Sequence, residues 1–217
     1  MANQTEGFGL RMTMATGNTP ATQGQSEYKI ESGLGVGIYK NNPVSIQDAA
    51  GGSQGYLQDA SFAVTDDTGT GGASWTNTGH APLIGAFNGA FYVNSTTSKP
   101  TWANSIAAST TFGTDYNTGS TDGLGFVNDN PQQEFVIKAN TAVTQAMYGD
   151  AGYNVANFTA SDAISGQSTV KLDNGTTAAV TSMFKLVRGA NDPENKDYSA
   201  INSNVIVNIA TDSNLYN

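Results

Sequence analysis

The side chains that most often carry enzyme chemistry are scarce in this sequence. Among its 217 residues there is no cysteine, and the single histidine is His80. A chain without cysteine offers neither a thiol nucleophile nor a thiolate zinc ligand, and one histidine cannot build a multi-histidine metal site. His80 lies in the polar stretch Thr-Gly-His-Ala-Pro with no motif around it. We therefore interpret His80 as an ordinary exposed histidine rather than a catalytic base.

Thirteen Asp and five Glu side chains are the remaining candidates for acid–base chemistry. A glycosidase needs two carboxyl groups that face each other across a cleft at roughly 5–10 Å. In this chain the acidic residues are scattered through turn-like stretches, and no spacing marks two of them as a pair. The sequence favours a protein that is not an enzyme, and an enzyme acting on polysaccharide stays as a lesser alternative.

The run Asp115-Tyr-Asn-Thr-Gly-Ser-Thr-Asp122 has the oxygen-rich, glycine-containing character of a calcium loop. Asp115, Asn117 and Asp122 are its candidate ligands, and Asp66-Asp67 at the start of the stretch 66–81 is a second acidic pair. Neither stretch matches the EF-hand pattern, because the acidic residue at its last position is missing. Asx-turns, in which a side-chain oxygen accepts a backbone N–H, explain both stretches. We expect no metal and no cofactor, and ion or glycan binding by 66–81 and 115–122 stays open.

Aromatic residues in polar, loop-like stretches are the other candidates for a site. Trp75, Trp102 and Tyr116 are the chief ones, and rings that converge on one face can stack against sugars. A loop tryptophan more often covers the rim of a core or an interface. The sequence therefore keeps a carbohydrate- or receptor-binding β-domain as an alternative function.

The balance of charge argues against two classes of partner. Nine basic and eighteen acidic residues give a net charge of −9 and a pI near 4.3. The basic residues occur singly, so no basic stripe is available to neutralise a row of phosphates. No apolar run approaches the roughly 18 residues of a membrane span, and the N-terminus MANQTEGFGL lacks the features of a secretion signal. We expect no nucleic acid, no membrane and synthesis in a cytoplasm.

Composition predicts an all-β protein. Gly, Thr, Asn and Ser supply 91 of the 217 residues, and only 12% are charged. Thr is favoured in strands, whereas Gly, Asn and Ser are favoured in turns. Twenty aromatic residues and regular apolar clusters argue against disorder. We predict a compact antiparallel β-barrel or sandwich with long loops.

Short apolar runs between turn signals mark the predicted strands. One segment, about 140–149, has a helical pattern of at most three turns. Three tracts are predicted as loops: Ala49–Ser61, Asp66–Ala81 and Ser95–Gly125. The strand candidates are Tyr28–Ile30, Val36–Tyr39, Val44–Ile46, Phe62–Thr65, Leu83–Val93, Glu134–Lys138, Val170–Leu172, Met183–Val187 and Val205–Ile209.

The N-terminal segment alternates with a period of two. Its apolar side is Phe8, Leu10, Met12 and Met14, and its other side is Gly7, Gly9, Arg11 and Thr13. Because a polar stretch with Pro20 follows, residues 1–25 are predicted as an arm with one short strand, and residues 26–217 as a single β-rich body. The alternative is that this strand is the first strand of the main sheet.

Three stretches together resemble a family of head proteins of marine tailed bacteriophages, encoded near the major capsid protein and regarded as capsid decoration or cement proteins. The resemblance covers about residues 28–210 and rests on the order and spacing of its motifs. The stretches are YKIESG running to IYKNNPV (28–44), PLIGAFNGAFYVN followed by PTW (82–102), and VNDNPQQEFVIKA (127–139). Near the C-terminus the chain departs from the family, since 186–195 lack its tryptophan and Asn208-Ile-Ala-Thr replaces its final motif.

The resemblance implies a structural virion protein on the outer surface of an icosahedral head. It would bind the major capsid protein and bridge its subunits, without enzymatic activity, and would associate with copies of itself, most simply as a trimer about a local symmetry axis. We expect the N-terminal strand to add to a sheet edge on the capsid protein or on a neighbouring copy. The expected contact residues are Phe8, Leu10, Arg11, Met12 and Met14.

Overall fold

The computed structural model describes residues 3–17, 24–47, 55–60, 83–156, 161–162, 164–175 and 183–210. Several sequence predictions lie outside these ranges. They concern His80, Trp75, the pair Asp66-Asp67, the strand Phe62–Thr65 and the tract Asp66–Ala81, together with most of Ala49–Ser61.

The all-β prediction is confirmed. The described residues form antiparallel strands and one short 3-10 helix, Gln145–Met147. In chain order the strands are β1 (Arg11–Ala15), β2 (Ser26–Ile30), β3 (Pro43–Ile46), β4 (Leu57–Asp59), β5 (Leu83–Val93), β6 (Pro100–Ala103), β7 (Gly123–Asn128), β8 (Gln133–Lys138), β9 (Ala151–Ala156), β10 (Ser161–Asp162), β11 (Gln167–Ser168), β12 (Lys171–Asp173), β13 (Phe184–Gly189) and β14 (Asn204–Ile209).

The larger strands form two antiparallel sheets, an arrangement consistent with a β-sandwich. The first sheet has the order β1-β8-β14-β13-β9-β12. The second has the order β2-β7-β5-β3-β4, and β6 pairs with the second half of β5. Strands β10 and β11 form a separate hairpin. The turn 129–132 joins β7 of the second sheet to β8 of the first, so the third resembling stretch is a crossover between sheets.

Two apolar clusters fill the interior. The larger one lies under the first sheet, includes the fully buried Phe135 and Phe184, and also contains Leu83 and Ala86 from β5. The smaller one lies under the second sheet and includes Phe87. Strand β5 therefore contributes to both clusters, which links the two sheets through their cores.

Two predicted elements are shorter in the structure, because their backbone groups bond elsewhere. In 36–39, Ile38 exchanges two hydrogen bonds of 2.8 Å with Ile106, which makes an isolated bridge instead of a strand. At the start of 140–149, Asn140 N donates to Leu172 O and Val143 N to Tyr198 O, both at 2.8 Å. These two bonds fix the start of the segment to neighbouring segments of the chain. Further along, Met147 N and Tyr148 N bond three residues back, and Gly149 N donates to Leu186 O at 2.7 Å, so the i to i−4 bonds of an α-helix are not made and only the single turn at 145–147 remains.

The tract Ser95–Gly125, predicted as a loop, contains β6 and the beginning of β7. Strand β7 was missed because its alternation is reversed: glycine points inward and the large residues point outward. A Cβ at Gly123 would lie 2.9 Å from the Phe112 ring, and one at Gly125 would lie 2.6 Å from Leu57. Side chains from other segments thus fill the inner face, and Leu124 and Phe126 are left on the outer face.

Candidate functional site

The strand of the predicted arm belongs to this chain's own sheet. In β1, Arg11 is paired with Val136 and Met12 with Phe135 of β8. Among the described strands β8 is the one neighbour of β1, which makes β1 an edge strand of the first sheet. The structure therefore agrees with the alternative prediction, in which the N-terminal strand belongs to a main sheet of this chain. The domain boundary at residue 25 stays a prediction.

The predicted common face of Phe8, Leu10, Met12 and Met14 is wrong. Leu10 is fully buried in the larger cluster and Met12 packs against it, but Met14 is 43% exposed. The cause at Met14 is a β-bulge between Met12 and Ala15, which turns Ala15 inward in its place.

Phe8 lies on the opposite face of the sheet from Leu10. Its ring is covered by the Arg11 guanidinium, 4.8 Å from the centroid, and has Lys138 Nζ at 5.8 Å. The alternation breaks at Gly9, whose φ of +70° lies in the left-handed region. Of the five predicted contact residues, Arg11 and Met14 are exposed, Phe8 and Met12 are half-buried, and Leu10 is not accessible.

Residues 8–10 connect the first sheet to the second. Leu10 N donates to Asn41 O at 2.8 Å, and Asn41 Nδ2 donates to Phe8 O at 3.1 Å. Asn41 precedes β3 of the second sheet. On the other side, Gly9 N donates to Val170 O at 3.2 Å. This segment is therefore a strap across the molecule rather than a free arm.

A buried lysine holds the chain further toward the N-terminus. Lys138 Nζ donates to Gln4 O at 2.7 Å and to Asn195 Oδ1 at 3.4 Å, and Gln4 N donates to the same Asn195 oxygen at 2.7 Å. Burial, and secondarily the charge of Lys171, lowers the pKa of Lys138 below its usual value. The ammonium group is bonded to neutral oxygens, which makes it a structural anchor for the N-terminal segment.

The outer face of the first sheet carries Arg11 on β1 and Arg188 on β13. Arg11, Val136, Ile206 and Arg188 are consecutive cross-strand neighbours on β1, β8, β14 and β13. Arg188 binds the buried Glu134 with both guanidinium branches, one of them at 2.9 Å. Arg11 is exposed at the other end of this row, on the edge strand β1.

The oxygen ligands predicted for a calcium loop take part in separate networks. Asp115 accepts hydrogen bonds from Asn117 N at 2.9 Å and Thr118 Oγ1 at 3.0 Å, which makes an Asx-turn. Asp122 accepts from Lys29 Nζ and Tyr56 OH, each at 3.2 Å. Burial, followed by the charge of Asp122, raises the pKa of Tyr56. Within the described ranges, no three His, Asp or Glu side chains are grouped as a metal site.

A small cavity lies beside β4 in the second sheet. It has a volume of about 220 Å³ and is lined by Gln58, Asp59 and residues 31–36, among others. Asp59 is 2% exposed and accepts a hydrogen bond from Asn42 Nδ2. The volume is below the range of about 300–1,000 Å³ that is usual for small-molecule sites. The carboxylate of Asp59 is thus engaged within the fold.

An aromatic surface forms on the outer face of the second sheet, and we call Phe91, Trp102 and Phe126 the aromatic platform. Phe91 on β5 is directly opposite Trp102 on β6, and Gly89 is directly opposite Phe126 on β7. Trp102 is 51% exposed and Phe91 is 41% exposed. Leu124 extends the row on β7. Three neighbouring strands therefore present apolar rings on one side of the sheet.

Gly89 allows the Trp102 ring to lie across the sheet. A Cβ at Gly89 would be 2.5 Å from the indole Cζ2, so the ring occupies the space that a side chain there would fill. The indole reaches the Phe126 ring, with centroids 5.0 Å apart and planes at 47°. This distance and tilt are in the range of favourable aromatic pairs. One side of the Trp102 ring is held by Gly89 and Phe126, and the other side is exposed to solvent.

The platform differs from the aromatic cluster that the sequence suggested. Trp102 lies on a strand, and Tyr116, which is 90% exposed, lies in the turn that Asp115 closes. Trp75 is outside the described residues. Phe91 and Phe126 were not singled out from the sequence. The Gly-Leu-Gly-Phe alternation of β7 is the signal for Phe126, whose side chain lies on the face away from the core; Phe91 is placed beside it by the pairing of β5 with β7.

Comparison with family models, with curated proteins and with solved structures finds no match to this chain. In the part of the chain that the structure describes, no helix is long and apolar enough to cross a membrane.

Proposed function

We propose that this protein is a capsid decoration protein, which binds the outer surface of an assembled icosahedral head and bridges subunits of the major capsid protein. The resemblance of residues 28–210 to phage head proteins suggests this class. The observation that carries the proposal in structural terms is the edge of β1 that no other described strand covers, where Arg11 and Met14 are exposed. Such an edge can receive a strand from a partner.

The direction of strand addition is the reverse of what the sequence suggested. The N-terminal strand is already paired with β8, so it acts as the acceptor edge, and a strand of the capsid protein is added to it. Main-chain hydrogen bonds provide affinity, and the Arg11 and Met14 side chains contact the added strand. Because the protein binds the assembled lattice and not free subunits, mass action stabilises the assembled state at every occupied site.

Substitution of the exposed side chains on β1 tests this mechanism. The double variant Arg11→Glu with Met14→Glu is expected to lower affinity for heads assembled from the major capsid protein about tenfold or more. Charge reversal and loss of an apolar contact both oppose strand addition, while the core under Leu10 is unchanged. The measurement is co-sedimentation with heads over a range of protein concentrations.

Lys99→Glu is the matched control, because Lys99 is exposed on the turn between β5 and β6 of the other sheet. Head binding that is equal for wild type, the double variant and the control would refute the β1 mechanism. Absence of the protein from purified virions, measured as stoichiometry relative to the major shell protein, would refute the proposed function itself.

We also propose that copies of the protein associate as trimers about local symmetry axes of the shell. A capsid lattice presents such axes, and a closed ring of contacts between copies adds to the affinity of each one. A cryo-EM map of decorated heads is expected to show density grouped in threes at these axes. Density for isolated single copies would contradict the trimer.

A further inference from the structure

The aromatic platform is a second surface, far along the chain from β1 and built on the other sheet. We propose that it binds neutral saccharides, with pyranose rings lying on the exposed faces of Trp102 and Phe91. This inference goes beyond capsid decoration and does not depend on it. It assigns a ligand class to a surface that the proposed decoration mechanism leaves unused.

Folding alone does not account for rings on this face. The inner face of the second sheet is already filled, since Ile30, Leu57 and Phe112 pack against the glycines of β7. Trp102 and Phe91 nevertheless remain about half exposed. Large apolar side chains that are adjacent and exposed on a sheet are typical of a binding surface.

The size of the platform favours a small ligand over a protein. An aromatic side chain has roughly 150–250 Å² to bury, so the exposed parts of Trp102 and Phe91 provide on the order of 200 Å². A stable protein interface needs about 800 Å² on each partner. The platform is several times smaller than this, but two adjacent rings match the apolar C–H faces of one or two pyranose rings.

The charge of the surface favours a neutral, hydroxyl-rich ligand. Phe91, Trp102, Leu124 and Phe126 carry no charge, although the chain as a whole has a net charge of −9. On β2, Lys29 is the cross-strand neighbour of Leu124, and Glu27 is that of Phe126. Lys29 is already paired with Asp122 at 3.2 Å. Strand β2 therefore places an acidic and a basic side chain beside the platform, which suits hydroxyl groups that both donate and accept hydrogen bonds.

Affinity electrophoresis tests the proposal, with soluble cellulose ether, xylan, mannan and agarose as the probes. Wild-type protein is expected to be retarded by at least one of them, and Trp102→Ala to lose about tenfold or more in affinity. Phe91→Ala is expected to weaken binding in the same gel. Tyr116→Ala is the matched control, because Tyr116 is exposed in a turn and is not part of the platform, and it should bind like wild type.

Fluorescence provides a readout that a change in folding does not imitate. In a Trp75→Phe variant, Trp102 is the remaining tryptophan, and its emission is expected to shift to shorter wavelength on binding as the sugar excludes water from the indole.

Failure of every probe to retard the protein, or retardation that Trp102→Ala leaves unchanged, would overturn the proposal. Loss of head binding by Trp102→Ala without any sugar binding would also overturn it and would assign the platform to the capsid. The Arg11→Glu, Met14→Glu variant can lose head binding while its saccharide binding is unchanged, so the failure of one proposal does not imply the failure of the other.

Discussion

Gly9→Ala is expected to lower the free energy of unfolding by about 3–5 kcal/mol. Gly9 has a φ of +70°, which costs an L-residue roughly 1–2 kcal/mol. The larger effect is steric, because the new Cβ would lie 2.4 Å from Asn41 O and 2.8 Å from Ser168 Cβ. Both contacts belong to segments that the strap connects, so neither can move without breaking its hydrogen bonds to residues 8–10. Chemical denaturation at equilibrium measures the change.

Gly17→Ala separates the steric effect from the conformational one. Gly17 has a similar φ of +83°, but a Cβ there would have no atom within 4 Å. The control is expected to cost only about 1–2 kcal/mol, the price of the left-handed conformation. Equal destabilisation by the two substitutions would show that the close approach of Gly9 to Asn41 does not contribute to stability.

Leu10→Ala is expected to destabilise the protein by about 3–4 kcal/mol, as is usual for a truncated core leucine. Leu10 is fully buried in the cluster that includes Phe135 and Val170. Removal of its side chain leaves a cavity between the strap and the first sheet. For a chain of this length, the melting temperature should fall by roughly 6–16 °C, as measured by differential scanning calorimetry.

Met14→Ala is the matched control on the same strand. Met14 is 43% exposed, so its loss is expected to change stability by less than about 0.5 kcal/mol. If β1 detached from the sheet in solution, both substitutions would have small effects. A large effect of Leu10→Ala beside a small effect of Met14→Ala would establish that β1 is an integral part of the fold.

These two results determine how head binding is tested. Deletion of residues 1–25 would remove β1, Leu10 and the carbonyl group that Lys138 binds. If the protein without residues 1–25 failed to bind heads, the cause could be unfolding as well as the loss of a contact with the capsid. Substitution of Arg11 and Met14, whose side chains are exposed, keeps the main-chain hydrogen bonds of the strap and changes the edge together with the Arg11 contact on the Phe8 ring.

Much of the fold was predictable from local pattern. The abundance of Thr, Gly, Asn and Ser and the short apolar runs predicted an all-β chain, and Leu83–Val93 and Glu134–Lys138 correspond closely to β5 and β8. Such runs are informative because a strand that is buried in a core needs apolar side chains, whichever strands are its neighbours. The prediction failed for β7, where glycine occupies the inward positions and distant side chains supply the apolar contacts.

The positions of the candidate site residues were less predictable from the sequence than the strands were, because they depend on tertiary structure. Period-two alternation predicts a common face only while the strand is regular, and the conformation of Gly9 and the bulge after Met12 place Phe8 and Met14 away from Leu10. Likewise, Phe91, Trp102 and Phe126 are separated in sequence and meet only through the register of β5, β6 and β7. The sequence by itself determined that this chain forms strands with many turns. Which side of each strand faces solvent was decided by the segments that pack against it, because burial is a property of the partner surface as much as of the residue.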